Sequence, residues 1–175
     1  MSVQDCSSTK SKNDSLHKLN DKWTLWAHLP HDVNWEVDSY KKIFSFDTVE
    51  EAIILFNALP DSLIKNCMLF VMRDGIMPIW EDKKNSKGGC FSYKVNNKTI
   101  ISTWKELFKA LVSERLIEDE AAVTKCNGIT ISPKRNFCIV KIWLLDCTIQ
   151  NPQKITDISG LTRQGCLFKK HNPEF

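Results

Sequence analysis

The sequence predicts an α+β domain, an antiparallel β-sheet with helices packed on one of its faces. Three observations point there. Segments that alternate between apolar and polar residues recur along the chain, separated by turn-forming residues. Two segments interleaved with them carry apolar residues at helical spacing behind capping signals. The length, 175 residues with 42% hydrophobic content, suits one domain with a substantial core. With helices on one side, the opposite face of the sheet and its loops are left for a ligand.

The elements follow in order. Residues 1–16, opening MSVQDCSSTKSKNDS, are rich in Ser, Lys and Asp and predict a disordered tail before a single domain over residues 17–175. DKWTLWAHL (21–29) alternates as a strand, with Trp23 and Leu25 on one side and Thr24 and Trp26 on the other. HLPHDVNW is a loop, and YKKIFSF (40–46) is a second strand. In FDTVEEAIILFNALP, Asp47 caps a helix and Glu50 completes a capping box. Ala52, Leu55, Phe56 and Leu59 form its inward stripe, Val49 and Ile53 form a second one, and Pro60 ends it. CMLFVMRDG (67–75) is an apolar strand closed by an Asp-Gly turn, and GCFSYKVN (89–96) alternates as another. STWKELFKALVSERL is the second helix, with Thr103 and Glu106 as its capping box and Trp104, Leu107, Phe108 and Leu111 facing inward. NGITIS and FCIVKIWLLD pair around the turn PKRN. The last 25 residues predict a short helix and a strand at GCLFKKH.

Composition removes several function classes. The net charge of +3 is too small for a histone-like nucleic-acid binder, so an anionic partner must be met locally. The seven cysteines form no CxxC pair and the four histidines have no zinc-finger spacing to them. They predict reduced thiols and no metal, in a cytoplasmic protein with a nuclear fraction allowed. No apolar run of membrane-spanning length and no secretory leader is expected. Neither a phosphate-cradling P-loop nor a nucleophile with a base is visible, so the expectation is a binder without a cofactor, not an enzyme.

The segment MPIWEDKKNSKGG (77–89) sets a tryptophan and a glutamate side by side in a polar, turn-rich loop. A carboxylate only accepts hydrogen bonds, so Glu81 can read two adjacent N–H donors at once, as the N1–H and N2–H₂ edge of guanine offers. An aromatic face stacks on a base for about 1–3 kcal/mol. A cationic base adds roughly 0.5–2 kcal/mol of cation–π attraction. The opposite face of such a ligand needs a second ring, and Trp35, in the polar loop HDVNWEVD, is placed to supply it.

These segments resemble the mRNA cap-binding family of translation initiation factor 4E. DKWTLW, NWEVD, FDTVEEAI, RDGIMPIWEDKKNSKGG, WKELFKALVSE and KIW stand in that family's order and near its spacing, over roughly residues 17–146. The resemblance implies a curved antiparallel sheet with helices on its convex back and a cap-binding slot on the concave face. It implies 7-methylguanosine stacked between Trp35 and Trp80, Glu81 accepting from N1 and N2, the Trp80 backbone N–H donating to O6, and Trp143 near the N7 methyl. The family's phosphate-binding arginine and lysine fall on Lys134 and Ile139. Lys134, Arg135 and Lys141 are therefore the expected phosphate contacts, with Lys169 and Lys170 able to assist from the tail.

The resemblance also implies capped mRNA as partner and a scaffold resembling initiation factor 4G, or a divergent equivalent, met by a monomer. That partner's Tyr-x-x-x-x-Leu-hydrophobic helix would lie on a dorsal patch whose positions here are His17, Leu19, Val49, Ile53, Lys105 and Glu106. The family's dorsal tryptophan is Ile53 in this chain, and a dorsal leucine is Lys105. Recruitment of mRNA for initiation and sequestration of the cap by a repressor both remain open at this point.

Overall fold

In a computed structural model, which describes residues 16–173, seven strands form one antiparallel sheet in the order β2-β1-β3-β5-β6-β4-β7. The strands are β1 (Lys18–His28), β2 (Tyr40–Thr48), β3 (Met68–Arg73), β4 (Gly89–Asn96), β5 (Cys126–Pro133), β6 (Phe137–Leu144) and β7 (Leu167–Lys170). Helices α1 (Val49–Ala58), α2 (Asp61–Asn66) and α3 (Ile100–Val112) complete the regular structure, with short 3-10 turns at 37–39, 120–125 and 152–154. Most of the expected tail, residues 1–15, lies outside the described residues.

Alternation along each strand sends side chains to two different cores. Trp23, Leu25, Leu69, Val71, Ile129, Ile131, Val140 and Ile142 face the helices and join Trp104, Leu107 and Leu111 of α3 in the main core. On the other face Phe70, Met72, Ile76 and Trp143 form a smaller cluster, with Trp26, Tyr40, Met68 and Trp80 packed against it. That second cluster is the floor of the curved sheet's concave side.

Two capping expectations are corrected. The α1 cap is Thr48, whose hydroxyl accepts the Glu51 N–H at 3.2 Å, while the Glu51 carboxylate accepts the Asp47 N–H at 3.0 Å. The box sits one residue later than Asp47–Glu50 because β2 continues through Thr48, which pairs with Lys18. Glu50 instead accepts from the His17 backbone N–H at 3.0 Å and lies 2.7 Å from its ring Nδ1. Helix α3 begins three residues before the expected Thr103 cap. Thr103 is buried and donates to the Ser159 carbonyl at 2.9 Å, and Glu106 accepts the Ser159 N–H at 3.2 Å. The pair clamps the C-terminal segment onto α3 instead of capping the helix.

Helix α2 has no counterpart in the sequence reading. At six residues it is too short to show a period, although Pro60 followed by Asp61 is a legible start signal. Burial of Ile64 holds it against the main core.

Candidate functional site: a three-tryptophan slot

The slot's inner wall is the 77–89 loop, and hydrogen bonds to distant residues fix its shape. Asp82 accepts the Met77 N–H at 2.9 Å and the Lys84 N–H at 2.8 Å. The fully buried Asn85 donates from its amide to the carbonyls of Met77 and Ile79, both at 2.8 Å. Asn127 donates to the Asn85 Oδ1 at 2.9 Å and to the Lys84 carbonyl at 2.8 Å. Asn127 reaches the loop because it is the extra residue of a β-bulge: Cys126 pairs with Leu144 and Gly128 with Trp143, leaving Asn127 to turn outward. Gly88 closes the loop against β6, where a Cβ would lie 1.9 Å from the Leu144 carbonyl oxygen. Asp82, Asn85 and the glycine pair of WED-K-N-GG thus build the loop, while Trp80 and Glu81 are the residues it presents.

Trp35, Trp80, Glu81 and Trp143 line one cavity of about 330 Å³, together with Tyr40, Met68, Phe70 and Lys141. Trp143 is buried in the floor and donates from its indole Nε1 to Thr130 Oγ1 at 2.7 Å. Lys141 sits 5.9 Å from the Trp80 ring centroid, and Lys169 of β7 sits 5.1 Å from it. Among the described residues Glu81 makes no hydrogen bond or ion pair, and the Trp80 backbone N–H has no acceptor. Burial, and after it the Glu81 carboxylate, raises the Tyr40 phenol.

The expected phosphate contacts do not meet in one place. Lys141 lies in the slot, whereas Lys134 and Arg135 line a neighbouring cleft that shares Trp35 and Met68 with it. Ile139 is half-buried on the same face of β6 as Lys141. Lys170 is exposed on β7.

Two histidines of the site escaped the sequence reading. His28 stacks on Trp35 with ring centroids 4.0 Å apart and planes 8° apart, and its Nε2 is 2.7 Å from the Asn34 carbonyl. Alternation from Trp26 places His28 on the concave face, a signal present in the sequence. His171 stacks behind Trp80 at 5.6 Å, touches Trp143 at 4.8 Å and donates from Nδ1 to the Asn85 carbonyl at 2.7 Å. Burial, foremost, holds its pKa below the ordinary value, and its Nε2 has no partner among the described residues. No local pattern announces His171, since its hydrogen-bond partner Asn85 is 86 residues away.

On the convex side Leu19, Val49, Ile53, Phe56, Phe108 and Val112 line a shallow apolar groove of about 340 Å³. His17, Lys105 and Glu106 lie outside that lining. Lys105 rests its ammonium 5.5 Å from the Phe56 ring.

A seven-stranded antiparallel sheet with helices on one face and two loop-borne tryptophans over the other is the architecture that the resemblance to the initiation factor 4E family implied. Residues 18–172 match the family model described as eukaryotic initiation factor 4E, and the chain belongs to that family. The match runs beyond residue 146, where the resemblance traced in the sequence ended. The chain is 36% identical over 143 residues to translation initiation factor 4E of Eremothecium gossypii, covering 77% of this chain and 66% of that protein. It is 33% identical to the Saccharomyces cerevisiae factor, covering 90% of this chain and 71% of that protein. It therefore spans about two thirds of the length of such relatives. Among solved structures, it resembles Ascaris suum eIF4E-3 with m7G cap, at TM-score 0.68 and 26% identity over 77% of this chain and 76% of that one. Similarity is equal, at TM-score 0.68 and 30% identity over 77% of each chain, to Caenorhabditis elegans eIF4E-3 with the 4E-binding protein Mextli and cap analog.

Proposed function

We propose that this protein binds the 7-methylguanosine 5′ cap of mRNA and does no covalent chemistry on it. The observation that carries the reading is the convergence of Trp35, Trp80, Trp143 and an unpartnered Glu81 on one cavity. A cationic methylated base placed between Trp35 and Trp80 gains stacking and cation–π attraction on its faces. Glu81 accepts from its N1–H and N2–H, and the Trp80 N–H supplies a donor for O6. Trp143 flanks the N7 methyl, and Lys141, in the slot's lining, is the cation for the first phosphates. Lys169, beside Trp80, reinforces it.

Tryptophan fluorescence tests the reading. Quenching on titration with 7-methyl-GTP should exceed that with GTP, with a preference of well over about tenfold from the cationic ring. Glu81→Ala should weaken cap binding by about 2–4 kcal/mol, because two base donors lose their acceptor. Normal cap affinity in that variant would overturn the pocket assignment.

The groove on the convex side favours recruitment over mere sequestration. Leu19, Val49 and Ile53 with Phe56 still offer an apolar track for a partner helix, so the protein delivers capped mRNA to a scaffold in the cytoplasm. Ile53 gives less anchoring area than the family's tryptophan, and Lys105 adds charge, so the scaffold's helix is shaped differently or more acidic. Ile53→Trp together with Lys105→Leu should tighten binding of a peptide carrying the Tyr-x-x-x-x-Leu-hydrophobic motif. An unchanged affinity, measured by calorimetry, would return the repressor reading to the front.

A further inference from the structure

We propose that the cleft beyond Trp35 seats the RNA segment that directly follows the cap. The inference rests on the cap reading and extends it from the terminal nucleotide to the chain behind it. The cleft has a volume of about 590 Å³ and lies across the end of the sheet. Its walls are the 29–35 loop, Lys65 and Asn66 at the end of α2, Asn97 between β4 and α3, and the β5–β6 turn with Lys134 and Arg135.

Charge comes first. Lys65, Lys134 and Arg135 face one carboxylate in the lining, Asp32, whose Oδ1 already accepts the Asn34 N–H at 2.9 Å. Among the described residues none of the three cations has an ion-pair partner. They come from two elements, Lys65 from α2 and the Lys134–Arg135 pair from the β5–β6 turn. Cations so distributed suit a polymer with a phosphate at each step better than one isolated anion. Continuity comes second. Trp35 and Met68 line both the slot and the cleft, so a ligand leaving the slot past the edge of Trp35 enters the cleft directly. Chemistry comes third. Ser132, Asn66 and Asn97 supply neutral hydrogen-bonding groups, and Pro30, Pro133 and Met68 supply apolar surface, a mixture suited to sugar edges and splayed bases. An acidic peptide would answer the charge, but nothing would tie it to the mouth of the slot.

Lys65→Glu is the discriminating variant, since Lys65 is exposed and takes no part in the slot. Affinities for 7-methyl-GTP and for a capped five-nucleotide RNA are measured at fixed, moderate salt. The wild-type protein should hold the capped RNA at least about fivefold tighter than 7-methyl-GTP, and that gain should shrink as salt rises. Lys65→Glu should bring the two ligands within about twofold of each other without changing 7-methyl-GTP binding. Equal wild-type affinities, or a variant that weakens both ligands alike, would overturn the proposal while leaving the cap reading intact. Failure of the wild-type protein to bind either ligand would remove the cap reading and this inference with it.

Discussion

The slot's two aromatic walls are made in opposite ways. Trp80 rides on a loop fastened to β5 by Asn127, to the segment after β7 by His171 and to β6 by the close approach of Gly88. Trp35 rides on a loop whose bonds are nearly all its own. Asp32 accepts from the Asn34 N–H at 2.9 Å, Asn34 Oδ1 accepts the Glu36 N–H at 2.9 Å, and Asn34 Nδ2 donates to Asp38 at 3.0 Å. The Trp35 side chain is 58% exposed, and its one ring partner is His28. One wall is therefore fixed by long-range hydrogen bonds, and the other is held mainly by bonds within its own loop.

The largest effect should come from the fixed wall. Asn85→Ala removes the donors to Met77 and Ile79 and the acceptor for Asn127, all in a buried setting. The expected loss is about 3–5 kcal/mol of stability, with cap affinity falling as the loop opens. Thermal unfolding measures the first and fluorescence titration the second. A stability change below about 1 kcal/mol would mean that the loop is not part of the cooperative fold.

Trp35→Ala should separate the two quantities. Losing one stacking face should weaken cap binding by about 1–3 kcal/mol. Stability should shift by less than about 1 kcal/mol, since the side chain covers little beyond His28. If the variant unfolds early, the two walls are equally structural and the contrast between them fails.

The same contrast governs what was legible in the sequence. Strand alternation and the 3.6-residue stripe of α3 are local, and they located the sheet's two faces and the helix that covers one of them. Trp35 and Trp80 stood out as large aromatics in polar loops, and the structure brings both to one cavity. The misplaced caps have one cause: Asp47 and Thr103 carry a capping pattern, but tertiary partners decide its use. Lys18 extends β2 through Thr48, and Ser159 takes both Thr103 and Glu106. Asn127 and His171 act across 42 and 86 residues, so no window of sequence could assign them. Lys134 and Arg135 were found as cations, yet only the folded turn shows that they line the cleft beyond Trp35.

The smallest expected effect sharpens the comparison most, because it asks whether the fixed wall senses pH. His171 packs behind Trp80, with burial as the main cause of its depressed pKa, Lys141 lowering it further, and Glu81 and the Asn85 carbonyl opposing. The folded value lies below the ordinary 6.5, so above that pH both folded and unfolded chains are neutral here and stability is full. As pH falls below 6.5 towards the folded value, the unfolded chain takes up a proton that the native one refuses, and stability declines. His171→Phe keeps a ring behind Trp80 but removes both the proton site and the donor to Asn85. Near pH 7.5 the variant should be less stable by about 1 kcal/mol for the lost hydrogen bond. Towards pH 5.5 that gap should narrow, because only the wild-type chain still resists protonation at this site. A gap that stays constant across the range would show that His171 holds the wall by hydrogen bond and packing alone, with no part for its charge.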